Sequence, residues 1–293
     1  MFRGAYTALV TPMRDGRVDV DALERLVEDQ IAGGIHGLVP CGTTGESPSL
    51  SHAEHIHVVE IVMQAVRGRV PVLAGAGSNS TREAIELARA CKELGVAGTL
   101  QITPYYNKPT QEGLVAHFLE IADAVGLPIV VYNVPGRTCV DLLPETAAQL
   151  ARHPLLVGIK EATACMIRAS RIRELCGPDF AMLSGDDFTI LPFMAVGGDG
   201  VISVGSNLVP QLYSRLVDAA RAGRWDEARD LHYKQLPLAR ALFAVTSPIP
   251  VKQAMAILGR IGPEMRLPLL AIGEDRPEYA NLVRELRNLE LMP

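Results

Sequence analysis

Cysteine is scarce and unpatterned in this chain. The five present (Cys41, Cys91, Cys139, Cys165, Cys176) are odd in number, scattered, and never two residues apart. That excludes a disulfide framework and the usual thiolate metal spacings, and leaves reduced structural thiols. No apolar run approaches the roughly 20 residues a membrane-spanning helix requires. The opening MFRGAYTALVTPM runs straight into a strand pattern without the layout of a signal peptide, so a cytoplasmic enzyme is expected. There is no basic tail or stripe, and the formal charge is −5, which argues against nucleic acid and against electrostatic docking to a membrane. An anionic substrate must therefore be held by local groups. Internal repeats, low-complexity tracts and linkers are also missing.

What is present is a soluble globular composition of 293 residues, 48% hydrophobic and 21% charged, enough for one large α/β unit. Short β-branched or apolar runs alternate with segments of helical period along the chain. The runs are AYTALV, GLVP, VPVLAG, AGTLQIT, PIVVYN, LLVGIK, FAMLSG and GVISVG. Between them lie helical segments at 21–32, 53–66, 81–94, 111–125, 144–151, 167–175, 190–196 and 211–222. Helix ends agree with this reading. Ser80-Thr81 followed by Glu83 has the form of an N-terminal cap, and Gly33-Gly34, Gly95, Gly126 and Gly223 stand where helices should stop. Strand and helix repeated in this way predict a (β/α)8 TIM barrel over residues 1–224. From 225 to 293 the pattern turns wholly helical, at 225–243, 251–258 and 277–289, which predicts a C-terminal helical extension packed against the barrel.

The stretch LLVGIKEAT (155–163) reads as a buried strand carrying a lysine. Strict alternation puts Val157, Ile159 and Glu161 on one face and Leu156, Gly158 and Lys160 on the other. Gly158 is then expected to leave room for a substrate beside Lys160. An amine in so dry a place loses proton affinity and can attack a ketone to form a Schiff base. The alternative is a strand-end lysine reaching solvent or paired to a carboxylate. By the same parity Tyr132 shares the face of Val130 and turns into the lumen, one strand from Lys160.

In such barrels the active site lies at the C-terminal ends of the strands, and that is where polar residues gather. The ends carry CGTTGE (41–46), GAGSN (75–79), TPYYNKP (103–109), YNVPGRT (132–138), Lys160, SGDD (184–187) and SVGSN (203–207). The motifs GTTGE, TPYYNKP, YNVPGRT and GIKEAT, in this order and spacing, resemble the dihydrodipicolinate synthase and N-acetylneuraminate lyase superfamily, and within it the dihydrodipicolinate synthase family, from end to end.

The resemblance implies a class I aldolase-type lyase without a cofactor. In it Lys160 condenses with pyruvate, and the resulting enamine attacks L-aspartate 4-semialdehyde. Tyr132 is then the general acid and base, with Thr43 and Tyr106 as its relay; the tyrosine matching Tyr106 reaches into a neighbouring subunit's site. Thr44, with the backbone of its turn, suits pyruvate's carboxylate, and Arg137 suits the carboxylate of the aldehyde. Gly185 and Ile202 match backbone positions that line the pyruvate pocket. Cys139 and Gly136 stand where many members have glycine and serine. The family is commonly a homotetramer built from two tight dimers.

His52 and His55, one helical turn apart, suggest a metal, but no third ligand is recognisable and none is expected. In lysine-sensitive members the feedback site uses residues matching Ser47, His52, His55, Asn79, Glu83 and Tyr105. All are present, with Pro48 in place of a small residue, so L-lysine is a candidate inhibitor. Two other readings stay open. A 2-keto-3-deoxy sugar acid aldolase or N-acetylneuraminate lyase would use the same lysine, although Arg137 and the Tyr105-Tyr106 pair favour the synthase. A non-catalytic pyruvate-binding protein would be marked by loss of Lys160 or Tyr132, and both are here.

Overall fold

Each of the eight runs forms a strand: β1 (Gly4–Ala8), β2 (Gly37–Val39), β3 (Leu73–Gly75), β4 (Gly98–Ile102), β5 (Ile129–Asn133), β6 (Leu156–Glu161), β7 (Ala181–Ser184) and β8 (Gly200–Ser203). They pair in parallel in the order β2-β1-β8-β7-β6-β5-β4-β3, and a parallel bridge from Leu38 to Val72 joins the two ends. The sheet is thus a closed barrel. This computed structural model describes residues 2–292, so the outermost positions of the two expected segments, 1 and 293, lie outside the described residues.

The helices of the barrel are α1 (Val20–Ala32), α2 (His52–Val66), α3 (Thr81–Glu93), α4 (Gln111–Val125), α5 (Pro144–Leu150), α6 (Met166–Cys176), α7 (Ile190–Ala195) and α8 (Pro210–Arg221). Local chemistry sets their starts. Ser51 accepts the N–H of Glu54 while the Glu54 carboxylate accepts the N–H of Ser51, a reciprocal cap that begins α2. Ser80 caps α3 and Thr110 caps α4 in the same one-way fashion. At the other end of α4, Gly126 takes φ 66° and stops the helix. The buried stripe Ala84, Ile85, Leu87, Ala88 and Cys91 recurs at helical spacing along α3 and faces the sheet.

Both faces of the sheet are buried, as a parallel sheet requires. Leu38, Ala74, Val131, Ile159, Met182 and Val201 belong to the outer layer between strands and helices. Phe2, Tyr6, Val39, Leu73, Leu100, Val130, Leu183 and Ile202 fill the lumen.

Strict alternation fails at one point. The register between β5 and β6 slips after Ile129: Ile129 faces Leu156, but Val130 faces Gly158. Val157 is the extra residue. Leu156 therefore joins the outer layer and Val157 packs against the lumen, which reverses the expected faces of these two residues. From Gly158 onward the alternation holds. The room expected at Gly158 is absent too, because a Cβ there would stand 2.5 Å from the Ala181 carbonyl oxygen on β7. Glycine is needed at 158 for close approach of two strands, not for substrate.

Two local features escaped the sequence reading. A small antiparallel hairpin, Met13–Arg14 with Arg17–Val18, turns at Asp15-Gly16, both at positive φ. The Asp-Gly dipeptide was its signal. Pro135–Thr138, just after β5, forms a single helical turn.

Beyond the barrel come α9 (Trp225–Leu242), α10 (Ile249–Ile257) and α11 (Pro277–Asn288), with α9 lying against both α8 and α11. Among the described residues no helix is long and apolar enough to cross a membrane.

Candidate active site

Neighbouring strand ends bring two residues together at the top of the lumen. Tyr132, near the end of β5, is in register with Lys160 on β6. The Lys160 amine lies 4.1 Å from the centre of the Tyr132 ring, and both side chains are buried. Burial pulls the Lys160 amine down from its ordinary value to about 7; Asp187 pushes it back up and Arg137 adds to the lowering. Burial acts on Tyr132 in the opposite direction and raises the phenol to about 12, against the lowering effects of Arg137 and of a hydrogen bond with the Thr43 hydroxyl. Near neutral pH the pair is therefore an amine with a sizeable neutral fraction against a phenol that keeps its proton.

Gly185, just past β7, makes room for the lysine. A Cβ there would meet the Lys160 shaft at 3.0 and 3.2 Å. Asp187 follows two residues later, wholly buried, its Oδ2 accepting the N–H groups of Val204 (3.2 Å) and Gly205 (2.9 Å). Burial lifts its carboxyl to about 6. The SGDD motif was visible in the sequence, yet nothing in it marked this aspartate as the group that acts on Lys160.

The segment after β2 folds into a tight turn. Thr43–Gly45 make one 3-10 turn, Glu46 closes it at φ 56°, and the turn's own hydrogen bonds use the N–H groups of Gly45 and Glu46. Thr11 fixes it from below by donating its hydroxyl to the Gly45 carbonyl at 2.7 Å. Arg137 rises from the helical turn after β5 and donates to the Ser247 carbonyl at 3.1 Å.

These elements enclose a cavity of about 490 Å³ lined by Thr43, Thr44, Tyr132, Arg137, Lys160 and Gly185, with Val204, Phe243 and Ser247 among the other residues of its wall. Six of the residues expected from the sequence thus converge. Phe243 and Ser247 come from the C-terminal segment, and no local motif pointed to them. Two expected residues are not among these lining residues. The Ile202 side chain is buried in the lumen, and Val204, two residues on, lines the cavity. Tyr106 is 89% exposed at φ 73° and lines neither this cavity nor the next one.

A second cavity of about 330 Å³ shares Thr43 and Arg137 with the first and is lined by Ser47, Pro48, His52, His55, Glu83 and Tyr105. The expected feedback residues gather here except Asn79, which holds the Tyr105 carbonyl from outside at 3.2 Å. His52 and Glu83 pair at 2.7 Å, and the Ser78 hydroxyl donates to the same carboxylate, holding it below the ordinary range. His55 binds the Gly75 carbonyl at 2.7 Å, and its burial favours the neutral ring. Each histidine is thus engaged with its own protein partner.

A partly neutral buried amine, a protonated phenol beside it and a guanidinium at the mouth form a set suited to imine chemistry on an anionic ketone. The sequence model of the dihydrodipicolinate synthetase family matches residues 1–286. The 4-hydroxy-tetrahydrodipicolinate synthase of Nitratidesulfovibrio vulgaris strain DP4 is 59% identical over 269 residues, 92% of each chain. Among solved structures, a dihydrodipicolinate synthase of Acinetobacter baumannii in complex with pyruvate superposes with a TM-score of 0.97, at 43% identity and over all of both chains. One from Cyanidioschyzon merolae with lysine bound gives 0.95, at 40% identity and over 99% of each chain. With a matching model across almost its whole length, the chain belongs to the dihydrodipicolinate synthetase family.

Proposed function

We propose that Lys160 is the Schiff-base nucleophile of this enzyme and that its neighbours divide the proton and carboxylate work among them. The reaction is the condensation of pyruvate with L-aspartate 4-semialdehyde to 4-hydroxy-tetrahydrodipicolinate, a lyase step of lysine biosynthesis. The observation that carries the assignment is the Lys160 amine, buried and brought to about 7, lying on the Tyr132 ring. Its free pair attacks the keto carbon of pyruvate, water leaves, and the iminium formed withdraws electrons from the adjacent methyl. Loss of a methyl proton gives the enamine, whose carbon attacks the aldehyde. Attack by the second substrate's amine on the imine carbon closes the ring and returns Lys160.

Tyr132 starts protonated, so it serves first as a donor to the oxygen that departs as water. Thr43, hydrogen-bonded to it, passes protons onward. Thr44 and its turn hold the carboxylate of pyruvate in a dry setting where short-range donors suffice, and Arg137 receives the carboxylate of the aldehyde. The segment from 225 onward belongs to the same catalytic unit, since Phe243 and Ser247 form part of the wall. A coupled assay with both substrates, run beside Lys160→Ala, tests the assignment. Turnover that vanishes in the variant is expected, and turnover that survives removes Lys160 from the mechanism.

The second cavity supports a regulatory reading. Glu83 and His52 offer a carboxylate and a ring nitrogen to an ammonium group, and Thr43 and Arg137 touch both cavities, so L-lysine bound there would act directly on the site. Titrating activity with L-lysine is expected to lower the rate in a saturable way. A flat response discards this reading.

A further inference from the structure

Behind the catalytic pair, on the outward face of the barrel, lies a polar cluster that the mechanism above does not use. Asn133 follows Tyr132 on β5 and Glu161 follows Lys160 on β6, so both point away from the lumen into the helix layer. Glu161 is 1% exposed, and its Oε2 accepts from Asn133 at 3.2 Å and from Arg168 Nε at 3.0 Å. Arg168, in the first turn of α6, then reaches the return leg of the loop after β5. Its two terminal nitrogens meet the Asp141 carboxylate at 3.1 and 3.0 Å, and it also donates to the Leu142 carbonyl. Asn133 closes the same loop from its other end, donating to Asp141 at 3.0 Å and accepting the Leu142 N–H at 3.0 Å. Between these two anchored ends sits Arg137.

We infer that Arg168 is a positioning residue that sets the distance between the Lys160–Tyr132 pair and Arg137, and thereby the placement of the aldehyde substrate. This rests on the reading that Arg137 binds the carboxylate of that substrate. The planar guanidinium spans a carboxylate on the strand and a carboxylate on the loop in one rigid fork, which neither lysine nor an apolar side chain reproduces. A buried ionic cluster adds little net stability over apolar packing, so its use here is geometric. Pyruvate meets Lys160 and the Thr43–Thr44 turn, whereas Arg168 bonds to Glu161, Asp141 and Leu142 and to neither of these. The two substrates should therefore respond differently.

The test is steady-state kinetics on Arg168→Met, Arg168→Lys and Asp141→Asn, with borohydride trapping of pyruvate alongside. Displacing a binding arm by a fraction of an ångström is expected to raise the aldehyde KM about tenfold in both Arg168 variants and about threefold in Asp141→Asn. Pyruvate KM and the yield of trapping should stay near native. Asp141 is 43% exposed, so its variant folds even if an Arg168 variant does not. An unchanged aldehyde KM in the folded variants, or an equal rise for both substrates, overturns the inference. Arg137→Ala separates the two claims. If its aldehyde KM is native, the reading of Arg137 falls and the inference with it; if it rises while the Arg168 and Asp141 variants stay native, only the inference falls.

Discussion

At Lys160 burial and charge oppose each other, and burial wins. The amine descends from 10.5 to about 7 although the Asp187 carboxylate pulls it upward. The consequence for chemistry and that for stability have different signs. Above about pH 7 the folded protein holds a neutral nucleophile. An unfolded chain keeps this lysine protonated up to about 10.5, so folding bears the desolvation penalty in full below about pH 7 and sheds it as the pH rises toward 10.5. Arg137 assists by repelling the ammonium form, and Gly185 assists by leaving the lysine shaft unobstructed. The lysine itself was legible in the sequence because one charged side chain stood in a buried run. Its glycine neighbour was misread, since a sequence cannot tell a void from the close approach of a neighbouring strand such as β7.

At the scale of elements, the join between the C-terminal segment and the barrel centres on an ion pair with almost no access to water. Lys252 on α10 and Glu46, at the close of the Thr43–Thr44 turn, are 0% and 1% exposed, and Glu46 also accepts the backbone N–H of Arg266 at 3.0 Å. Replacing Lys252 by Met strands a buried carboxylate, and the expected loss is about 3–5 kcal/mol in urea unfolding. Adding Glu46→Gln to the same chain should recover most of it. Equal losses in the single and double variants would mean that packing, not charge, matters at this join. Periodicity located the strands and helices because alternation and helical spacing are local properties. It failed at Val157, where one extra residue inverted the faces expected for Leu156 and Val157, and it could not foresee Phe243, Ser247 or Lys252, whose roles depend on contacts far along the chain.

At the scale of the whole molecule, one expected relay member has no place in the site of its own chain. Tyr106 stands 89% exposed in a left-handed backbone conformation. We take this as support for an assembly in which Tyr106 completes the site of a second copy, as the family resemblance implies. Mixing Tyr106→Phe chains with Lys160→Ala chains tests it. A two-fold pair with one variant of each kind has one intact site, so activity should recover to about a quarter of native after random exchange. A mixture no more active than its parents would contradict a Tyr106 that serves the site of a second copy.

The measurement that bears most directly on the central claim is borohydride trapping of pyruvate as a function of pH, with the modified residue located by mass. The label should fall on Lys160, and its initial rate should climb through about pH 7 and level off above it, following the neutral amine. A rate that rises only near 10.5, the ordinary lysine value, or a label on another lysine, would contradict the account of a buried, proton-poor nucleophile.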